Sequence, residues 1–346
     1  MFRQVRPGDA WLAGRRPFLR LLAEAAERLG GRLELEERFG HVGRYHGPGG
    51  VVRPIFGNAL GLNAEAAAML AADKSYTAEA LAAAGLRTPR GVVLFSPAYA
   101  ARMRLKNAAV AEALPGPDDA ARRAARLGWP LIVKPNSGSE GRGVARADDP
   151  EELAADLAAL FSTDDRVRVE EWVPGLDTRV TVLDGAVRLA YRRLPPAVRG
   201  DGVQPVRMLA AAALAELAAR HRGPKLSVDD PRVARALAAQ GTALDTVPEA
   251  GREVRLLDTA NLSAGGRLDD LTGRLCPDAE ALAIRAAAIL GLRFAGIDLR
   301  AADLTVGAAD AVVIEVNAAP GLDFFGSHGE AQRARALELV TDALSR

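Results

Sequence analysis

The amino-acid sequence predicts a mixed fold of the α/β or α+β class, because helical and strand signals alternate along almost the whole chain. Two alanine-rich stretches, "MLAADKSYTAEALAAAG" and "MLAAAALAELAARH", combine high helix propensity with apolar spacing and therefore indicate ordinary helices. At 346 residues the chain is long enough for two or three lobes, each with its own core.

Apolar periodicity and turn residues locate the individual elements. Helices are expected at residues 17–29, 75–84, 118–127, 150–161, 206–221, 231–239, 278–290 and 330–344. The helix at 150 has a strong start, with Asp149 as a capping carboxylate before the first-turn Pro150. Strands are expected at 131–134, 167–173, 178–183, 186–192, 254–257, 294–299 and 311–316, and Asp184-Gly185 indicates a hairpin turn.

Two longer stretches interrupt this alternation. "RRLPPAVRGDGVQP" and "DTANLSAGGRLDD" are rich in turn-forming residues, and both are expected to be surface loops. The first 70 residues, with "RFGHVGRYHGPGGVVRP", resemble a separate small lobe, which puts the main boundary near Ala72.

Composition excludes several classes of protein. With 45 basic and 44 acidic side chains the net charge is +1, so the composition gives no strong positive electrostatic potential that would attract nucleic acid. The single cysteine, Cys276, cannot form an internal disulfide, and the four histidines show no metal-ligand spacing. The sequence shows no export signal and no apolar run of about 18 residues that could span a bilayer. A reduced, cytoplasmic protein is therefore expected.

The segment "LIVKPNSGSEGRGV" sets Lys134 at the end of an apolar strand, before a glycine-rich loop, so its ammonium is expected to emerge at the strand's edge above the loop. Glycines 138, 141 and 143 would let backbone N–H groups converge on an anion, which suits a polyphosphate. The segment is neither a P-loop nor a dinucleotide fingerprint. A plain surface hairpin is the alternative.

The segment "VVIEVNAAPG" sets Glu315 and Asn317 on one face of an apolar strand. Asp298 in "FAGIDL" is a lone carboxylate inside another apolar strand. If the two strands are adjacent, these side chains offer oxygen ligands for Mg²⁺. The alternative is that the acids pair with arginines.

The segment "RVEEWVPGLDTR" places two glutamates and Trp172-Val173 before a Pro-Gly turn and Asp177. Backbone groups leaving such a strand could contact an adenine edge, and the later acid could bind ribose hydroxyls. A hairpin with charged outer residues is the alternative.

The order of these segments resembles the ATP-grasp superfamily of carboxylate ligases. "VEEWVPGLDTRV", "RRLPPAVRGDGVQPVR", "LDTVPEAGREVRLLDTANLSAGG" and "EVNAAPGL" are similar to the ATP-grasp domain of cyanophycin synthetases, which glutathione-forming ligases partly share. The similarity covers residues 73–322. It implies an ATP-grasp fold with two lobes that clamp ATP, in which 1–72 is an amino-terminal lobe, 73–172 the small lobe and 173–346 the large lobe.

The resemblance also implies roles for individual residues. Lys74 and Lys134 would contact the phosphates, and the phosphate lid would consist of Ser137, Gly138, Ser139, Gly141 and Gly143. The adenine would contact Glu170, Glu171, Trp172 and Val173, and the ribose would contact Asp177. The metal ligands would be Asp298, Glu315 and Asn317, and the groups that oppose developing negative charge would be Arg179, Arg193 and Asn261. The implied cofactors are ATP and Mg²⁺, or Mn²⁺ in its place.

Two departures from the family pattern limit the function. Cyanophycin synthetases continue into a second, Mur-ligase-like domain, so polymer synthesis by two alternating ligations is not expected here. The D-alanine:D-alanine ligase branch has an arginine where this chain has Gly296, which does not support that dipeptide synthesis.

The expected reaction is ATP-dependent amide formation through an acyl phosphate. It would join a small-molecule or peptide carboxylate to an amine, with no nucleic-acid or membrane partner; a homo-oligomer is compatible with the sequence. A kinase built from the same parts and a non-catalytic nucleotide-binding scaffold are the alternatives. "GLDFFGSHGEAQ", after the metal strand, either lines the substrate pocket or packs at a helix entry.

Overall fold

The computed structural model describes residues 1–138, 141–220, 226–258, 260 and 265–346. Its described chain forms two compact units. The first consists of Met1–Gly175, Arg179–Ala190 and Thr272–Arg346, and the second consists of Leu176–Thr178 and Tyr191–Leu271. The predicted mixture of helices and sheets is confirmed. No helix of these residues is both long enough and apolar enough for a bilayer span.

The strands of the described chain are, in order, β1 (Phe2–Val5), β2 (Arg32–Glu36), β3 (Val42–His46), β4 (Val52–Phe56), β5 (Gly91–Phe95), β6 (Leu131–Pro135), β7 (Ala145–Ala147), β8 (Arg166–Glu171), β9 (Leu176–Leu183), β10 (Ala186–Leu194), β11 (Ala197–Arg199), β12 (Glu253–Arg255), β13 (Arg267–Asp270), β14 (Phe294–Ala301) and β15 (Val312–Asn317). The α-helices are α1 (Pro17–Arg28), α2 (Glu65–Ala72), α3 (Lys74–Ala83), α4 (Pro97–Lys106), α5 (Ala108–Ala113), α6 (Ala120–Leu127), α7 (Pro150–Phe161), α8 (Val206–Arg220), α9 (Pro231–Ala238), α10 (Pro277–Ile289), α11 (Asp323–Gly326) and α12 (Glu330–Ser345).

The first sheet of the first unit is antiparallel, in the order β1-β2-β3-β4. Its strands are only four or five residues long, and they were not predicted. Helix α1 buries a stripe that includes Phe18, Leu19 and Leu22, and it packs against α12 near the carboxyl terminus. The amino-terminal and carboxy-terminal segments therefore share one core.

The second sheet of the first unit has the order β5-β8-β6-β7. Helix α7 buries Leu153 and Leu157 against this sheet, where Val133 and Val167 are also buried. The predicted start of α7 is confirmed: the Asp149 side chain accepts hydrogen bonds from the backbone N–H groups of the next turn. This sheet carries Lys134 and the glutamates of β8.

The third sheet of the first unit sets β10, β9, β14 and β15 side by side in that order. The predicted hairpin between β9 and β10 is confirmed, because Asp184 and Gly185 both have positive φ, 47° and 74°. Strand β14 is buried along nearly its whole length, and α10 packs on it. A fully buried strand requires that its carboxylate, Asp298, has a partner.

The second unit has its own core, which α8, α9 and β12 form with Val206, Val233 and Val254. Part of each predicted loop is a strand here. Segment Ala197–Arg199 pairs with β12, and β13 pairs with the end of β10. The strands were missed because each has only three or four residues and lies in a segment rich in turn-forming residues. Residues 259 and 261–264 of the second predicted loop lie outside the described residues.

Candidate active site

Lys134 lies in β6, with its Cα opposite that of Arg168 on β8. Its ammonium forms an ion pair with Glu170, two residues further along β8 and on the same face. Lys134 is only 4% exposed. The expectation that its ammonium emerges at the strand end is therefore wrong, because β6 continues to Pro135 and Glu170 holds the lysine inside.

Arg168 is a second buried cation on the same glutamate. Its Nε lies 2.6 Å from Oε2 of Glu170, and its other nitrogens donate to the Pro89 carbonyl at 3.0 Å and the Ser75 hydroxyl at 3.3 Å. Lys134 and Arg168 carry two positive charges and Glu170 carries one negative charge, so this buried group has an excess of one positive charge. An uncompensated buried cation attracts an anion strongly.

Sequence reasoning missed Arg168, although "RVRVEE" contained a signal for it. Arg166, Arg168 and Glu170 alternate with Val167 and Val169, and the two valines are buried in the core of the second sheet. Alternation of this kind places all three charged residues on the opposite face of one strand.

Lys74 is the first residue of α3, and its ammonium contacts two parts of the site. Its Nζ donates to the Gly138 carbonyl at 2.8 Å and lies 3.4 Å from Oε1 of Glu315. Its backbone N–H donates to the Asn136 carbonyl at 3.0 Å. One lysine therefore joins the glycine-rich loop to the strand that carries Glu315.

Asp73 caps α3 directly before Lys74. Burial alone would raise the pKa of this carboxyl, but hydrogen bonds from the backbone N–H of Tyr76 and from Asn136 lower it, and so does the Arg166 guanidinium at 2.6 Å. The pKa of Asp73 therefore lies below its usual range, and the ionised cap fixes the helix end that positions Lys74.

The glycine-rich loop adopts the backbone that its glycines predict. Gly138, Gly141 and Gly143 all have positive φ, at 117°, 66° and 71°. A Cβ at Gly143 would lie 2.9 Å from the Leu160 side chain, so a larger residue would not fit there. The Ser137 hydroxyl accepts a hydrogen bond from Arg166 at 3.3 Å. Ser139 lies outside the described residues.

The acidic residues of the last two strands lie on one face. In the antiparallel pair of β14 and β15, Asp298 is directly opposite Glu315, and Gly296 is opposite Asn317. Directly opposed residues have Cβ atoms about 4.5–5.5 Å apart. Glu315 and Asn317 share a face because they are two residues apart. The three side chains are therefore brought together, as the sequence predicts.

Each of the two carboxylates also has a basic partner. Arg179 on β9 binds Asp298 through two nitrogens, one of them 3.0 Å from Oδ2, while Glu315 faces Lys74. The alternative interpretation, in which the acids pair with arginines, describes the contact of Asp298, whereas the partner of Glu315 is a lysine. Among the described residues, no group of three or more His, Cys, Asp or Glu side chains could hold a metal ion. The candidate donor set instead combines Asp298, Glu315 and the amide of Asn317.

The absence of a side chain at Gly296 creates space for Arg179. A Cβ at Gly296 would lie 3.0 Å from Nη1 of Arg179 and 2.9 Å from Cβ of Pro320. The guanidinium therefore packs over Gly296 and next to the segment that follows Asn317.

The end of β8 and the residues after it have both side-chain and backbone partners within the protein. Glu171 accepts from Arg90 at 2.7 Å, and the Arg146 guanidinium lies 5.2 Å from the Trp172 ring. The Val173 carbonyl accepts a hydrogen bond from Arg300 at 2.8 Å.

In the second unit, Arg193 donates to the Asp177 carboxylate at 2.7 Å. These two predicted residues are thus paired with each other. Asn261 lies outside the described residues.

Two residues of the segment after Asn317 contribute to packing. Asp323 accepts hydrogen bonds from the Arg16 guanidinium at 2.5 Å and from the Phe18 N–H at 2.8 Å, and Phe325 is fully buried. The interpretation of this segment as helix-entry packing describes both residues.

Comparison with known proteins gives similarities over most of the chain. The family profile described as "D-ala D-ala ligase C-terminus" matches residues 109–193. A cyanophycin synthetase of Geminocystis herdmanii is 35% identical over 263 residues, which are 73% of this chain and 28% of that protein. The glutathione biosynthesis bifunctional protein GshAB of Enterococcus faecalis is 30% identical over 263 residues, which are 72% of this chain and 32% of that protein.

Among solved structures, a bifunctional glutathione synthetase from Pasteurella multocida matches with a TM-score of 0.58. The match has 21% sequence identity and covers 95% of this chain and 44% of that one. The chain therefore spans less than a third of the length of the Geminocystis relative and less than half of this structural relative.

Proposed function

The chain has the ATP-grasp fold and a confirmed resemblance to ATP-grasp ligases, and from this premise we propose that it joins a carboxylate to an amine with ATP. The products would be an amide, ADP and phosphate. The observation that carries the proposal is the double contact of Lys74, which bonds to the Gly138 carbonyl of the loop and faces Glu315 on the acidic strand. The residues that are proposed to bind phosphate would then lie next to those that are proposed to bind a divalent ion.

The proposed phosphate site consists of Lys74, Lys134 and the loop that contains Ser137, Gly138, Ser139, Gly141 and Gly143. Support comes from the excess positive charge around Glu170, which a triphosphate would neutralise. The positive φ angles of the loop glycines suit a backbone that closes around an anion. In this proposal Glu170 orients Lys134.

The proposed metal ligands are Asp298, Glu315 and Asn317. Two carboxylates and an amide oxygen on one face of a strand pair fit the oxygen ligands that Mg²⁺ prefers, and Mn²⁺ accepts the same ligands. Such an ion would neutralise charge on the phosphoryl group during its transfer. The adenine would contact Glu171, Trp172 and Val173, and the ribose would contact Asp177.

The proposed chemistry proceeds in two steps. A substrate carboxylate oxygen attacks the γ-phosphorus of ATP, the bond to the β–γ bridging oxygen breaks, and ADP leaves. The amine nitrogen then attacks the acyl phosphate carbon, and phosphate departs as the nitrogen loses a proton. Lys134, Arg179 and Arg193 would oppose the negative charge that develops, and no side chain needs to act as a nucleophile.

The test is turnover of purified protein with ATP, MgCl₂ and pooled amino acids and short peptides. Phosphate release and the mass of the product are measured. The proposal predicts a product heavier than the acid by the amine minus water, formed only when both substrates are present. A phosphorylated product that forms without an amine would instead identify a kinase.

Replacing Glu315 provides the matched variant. Glu315→Ala is expected to abolish turnover, while Glu338→Ala, at an exposed position of α12, should leave it unchanged. Full activity in Glu315→Ala would refute the metal assignment.

A further inference from the structure

The side-chain amide of Asn63 is a fully bonded group that the proposed function does not use. Its Nδ2 donates to the carbonyls of Phe294 and Ala318, both at 2.7 Å. Its Oδ1 accepts from the backbone N–H groups of Arg293 at 2.9 Å and Phe294 at 3.0 Å. Both donors and both lone pairs of the carboxamide are therefore satisfied by backbone groups.

These backbone groups lie at the end of the strand pair that carries the proposed metal ligands. Phe294 is the first residue of β14, and Ala318 directly follows Asn317, the last residue of β15. The pairing of the two strands ends with Gly296 opposite Asn317. Asn63 forms hydrogen bonds with the backbone of both strands beyond that last pair, and so it extends the ladder by one hydrogen-bonding unit.

The segment after Asn317 depends on such bonds from outside. It reads Ala318-Ala319-Pro320-Gly321, in which the proline has no N–H for a ladder and the glycine is conformationally free. Two other residues of the amino-terminal segment also hold it. Asn58 lies against Gly321, and Arg16 bonds to Asp323. Asn63 is nonetheless the residue whose contact is adjacent to Asn317.

We propose that Asn63 is a positioning residue for the divalent ion, which fixes the backbone at Ala318 and thereby the distance of Asn317 from Asp298 and Glu315. The inference rests on the proposed function, because it assumes that these three side chains bind the ion. It assigns the amino-terminal segment a part in catalysis without contact to the nucleotide. Replacing a partner that orients metal ligands typically weakens metal affinity by about tenfold to a hundredfold.

The test measures Mn²⁺ binding by electron paramagnetic resonance in the presence of AMP-PNP, which is not hydrolysed. Asn63→Asp retains an acceptor for the two N–H groups, loses both donors and faces two carbonyls with a charge. Asn63→Ala removes all four bonds. Both variants are expected to raise the Mn²⁺ dissociation constant about tenfold, at a temperature well below their Tm.

Asn107→Ala is the matched control, because Asn107 caps α5 by accepting from the Val110 N–H, and neither residue belongs to the proposed metal site. It should lower Tm and leave Mn²⁺ binding unchanged. If the Asn63 variants lower Tm but bind Mn²⁺ as the wild type does, Asn63 is merely structural and the inference is overturned. Wild-type protein that binds no Mn²⁺ with AMP-PNP would instead contradict the proposed function itself.

Discussion

Gly296 determines where the guanidinium of Arg179 can lie, because its missing side chain is the space that Arg179 occupies. Gly296→Ala would place a Cβ 3.0 Å from Nη1 of Arg179 and 2.9 Å from Cβ of Pro320, so the guanidinium must move. Since small displacements of charged groups reduce catalysis strongly, kcat should fall by about tenfold to a hundredfold. Gly307→Ala, with open space at that position, should leave steady-state kcat unchanged.

Glu170 is the anion that allows two buried cations to coexist. Glu170→Gln would leave Lys134 and Arg168 without a negative partner, each only 4% exposed. Breaking a buried ion pair in this way should lower the free energy of unfolding by about 3–5 kcal/mol, measured by urea denaturation. Glu171→Gln is the control, since its pair with Arg90 is largely exposed and should contribute at most about 1 kcal/mol.

Strand alternation was enough to predict which residues share a face, but it could not give their partners. The common face of Glu315 and Asn317 follows from their spacing alone. The pairing of Asp298 with Arg179, or of Glu170 with Lys134, depends on how strands distant in sequence lie side by side. Neither a single sequence nor its periodicity contains that arrangement, so the ion pairs had to come from the structure.

Among the elements, helix α3 links stability to pH through its cap. The pKa of Asp73 is lowered below its ordinary value of 3.8 in the folded protein, so the ionised cap stabilises the fold above that pH. The contribution is lost as pH falls from 3.8 through the lower folded pKa. Asp73→Asn keeps a capping oxygen but loses the charge that faces Arg166, so it should be less stable than wild type at pH 7 by up to about 1 kcal/mol.

Urea denaturation of both proteins between pH 7 and pH 3 checks this expectation. The difference in unfolding free energy should be constant at neutral pH and shrink below 3.8, because protonation makes the two caps alike. A difference that stays constant to pH 3 would contradict the assignment of the stabilising charge to Asp73.

Helices with a buried apolar stripe were predictable even where no side chain caps them, as in α1 and α12, whereas a cap alone was not enough. Helix α7 has the Asp149 cap and three buried leucines, and the sequence predicts its bounds correctly. Helix α4 has a cap at Ser96 but no buried residue, so no apolar period marks it. The sheet strands β7, β11 and β13 are three or four residues long, which is too short for alternation to be recognised.

For the whole molecule, the proposed phosphate site predicts that nucleotide binding and stability depend differently on Lys134, because of the excess positive charge around Glu170. Lys134→Met removes one of two cations and leaves Arg168 paired with Glu170, so the buried group becomes neutral. We therefore expect this variant to fold with a free energy of unfolding equal to or above that of the wild type. The substitution should reduce stability relative to the wild type only when nucleotide is present.

Thermal unfolding with and without Mg·AMP-PNP measures both effects. A ligand that binds only the folded protein, at a hundred times its dissociation constant, stabilises it by about 2.7 kcal/mol. The Tm of the wild-type protein should therefore rise when the ligand is added. The Tm of Lys134→Met should rise little, because the lysine that is proposed to bind the phosphates has been removed. If Lys134→Met is strongly destabilised without ligand, the lysine is needed for folding, and the excess charge would not mark a phosphate site.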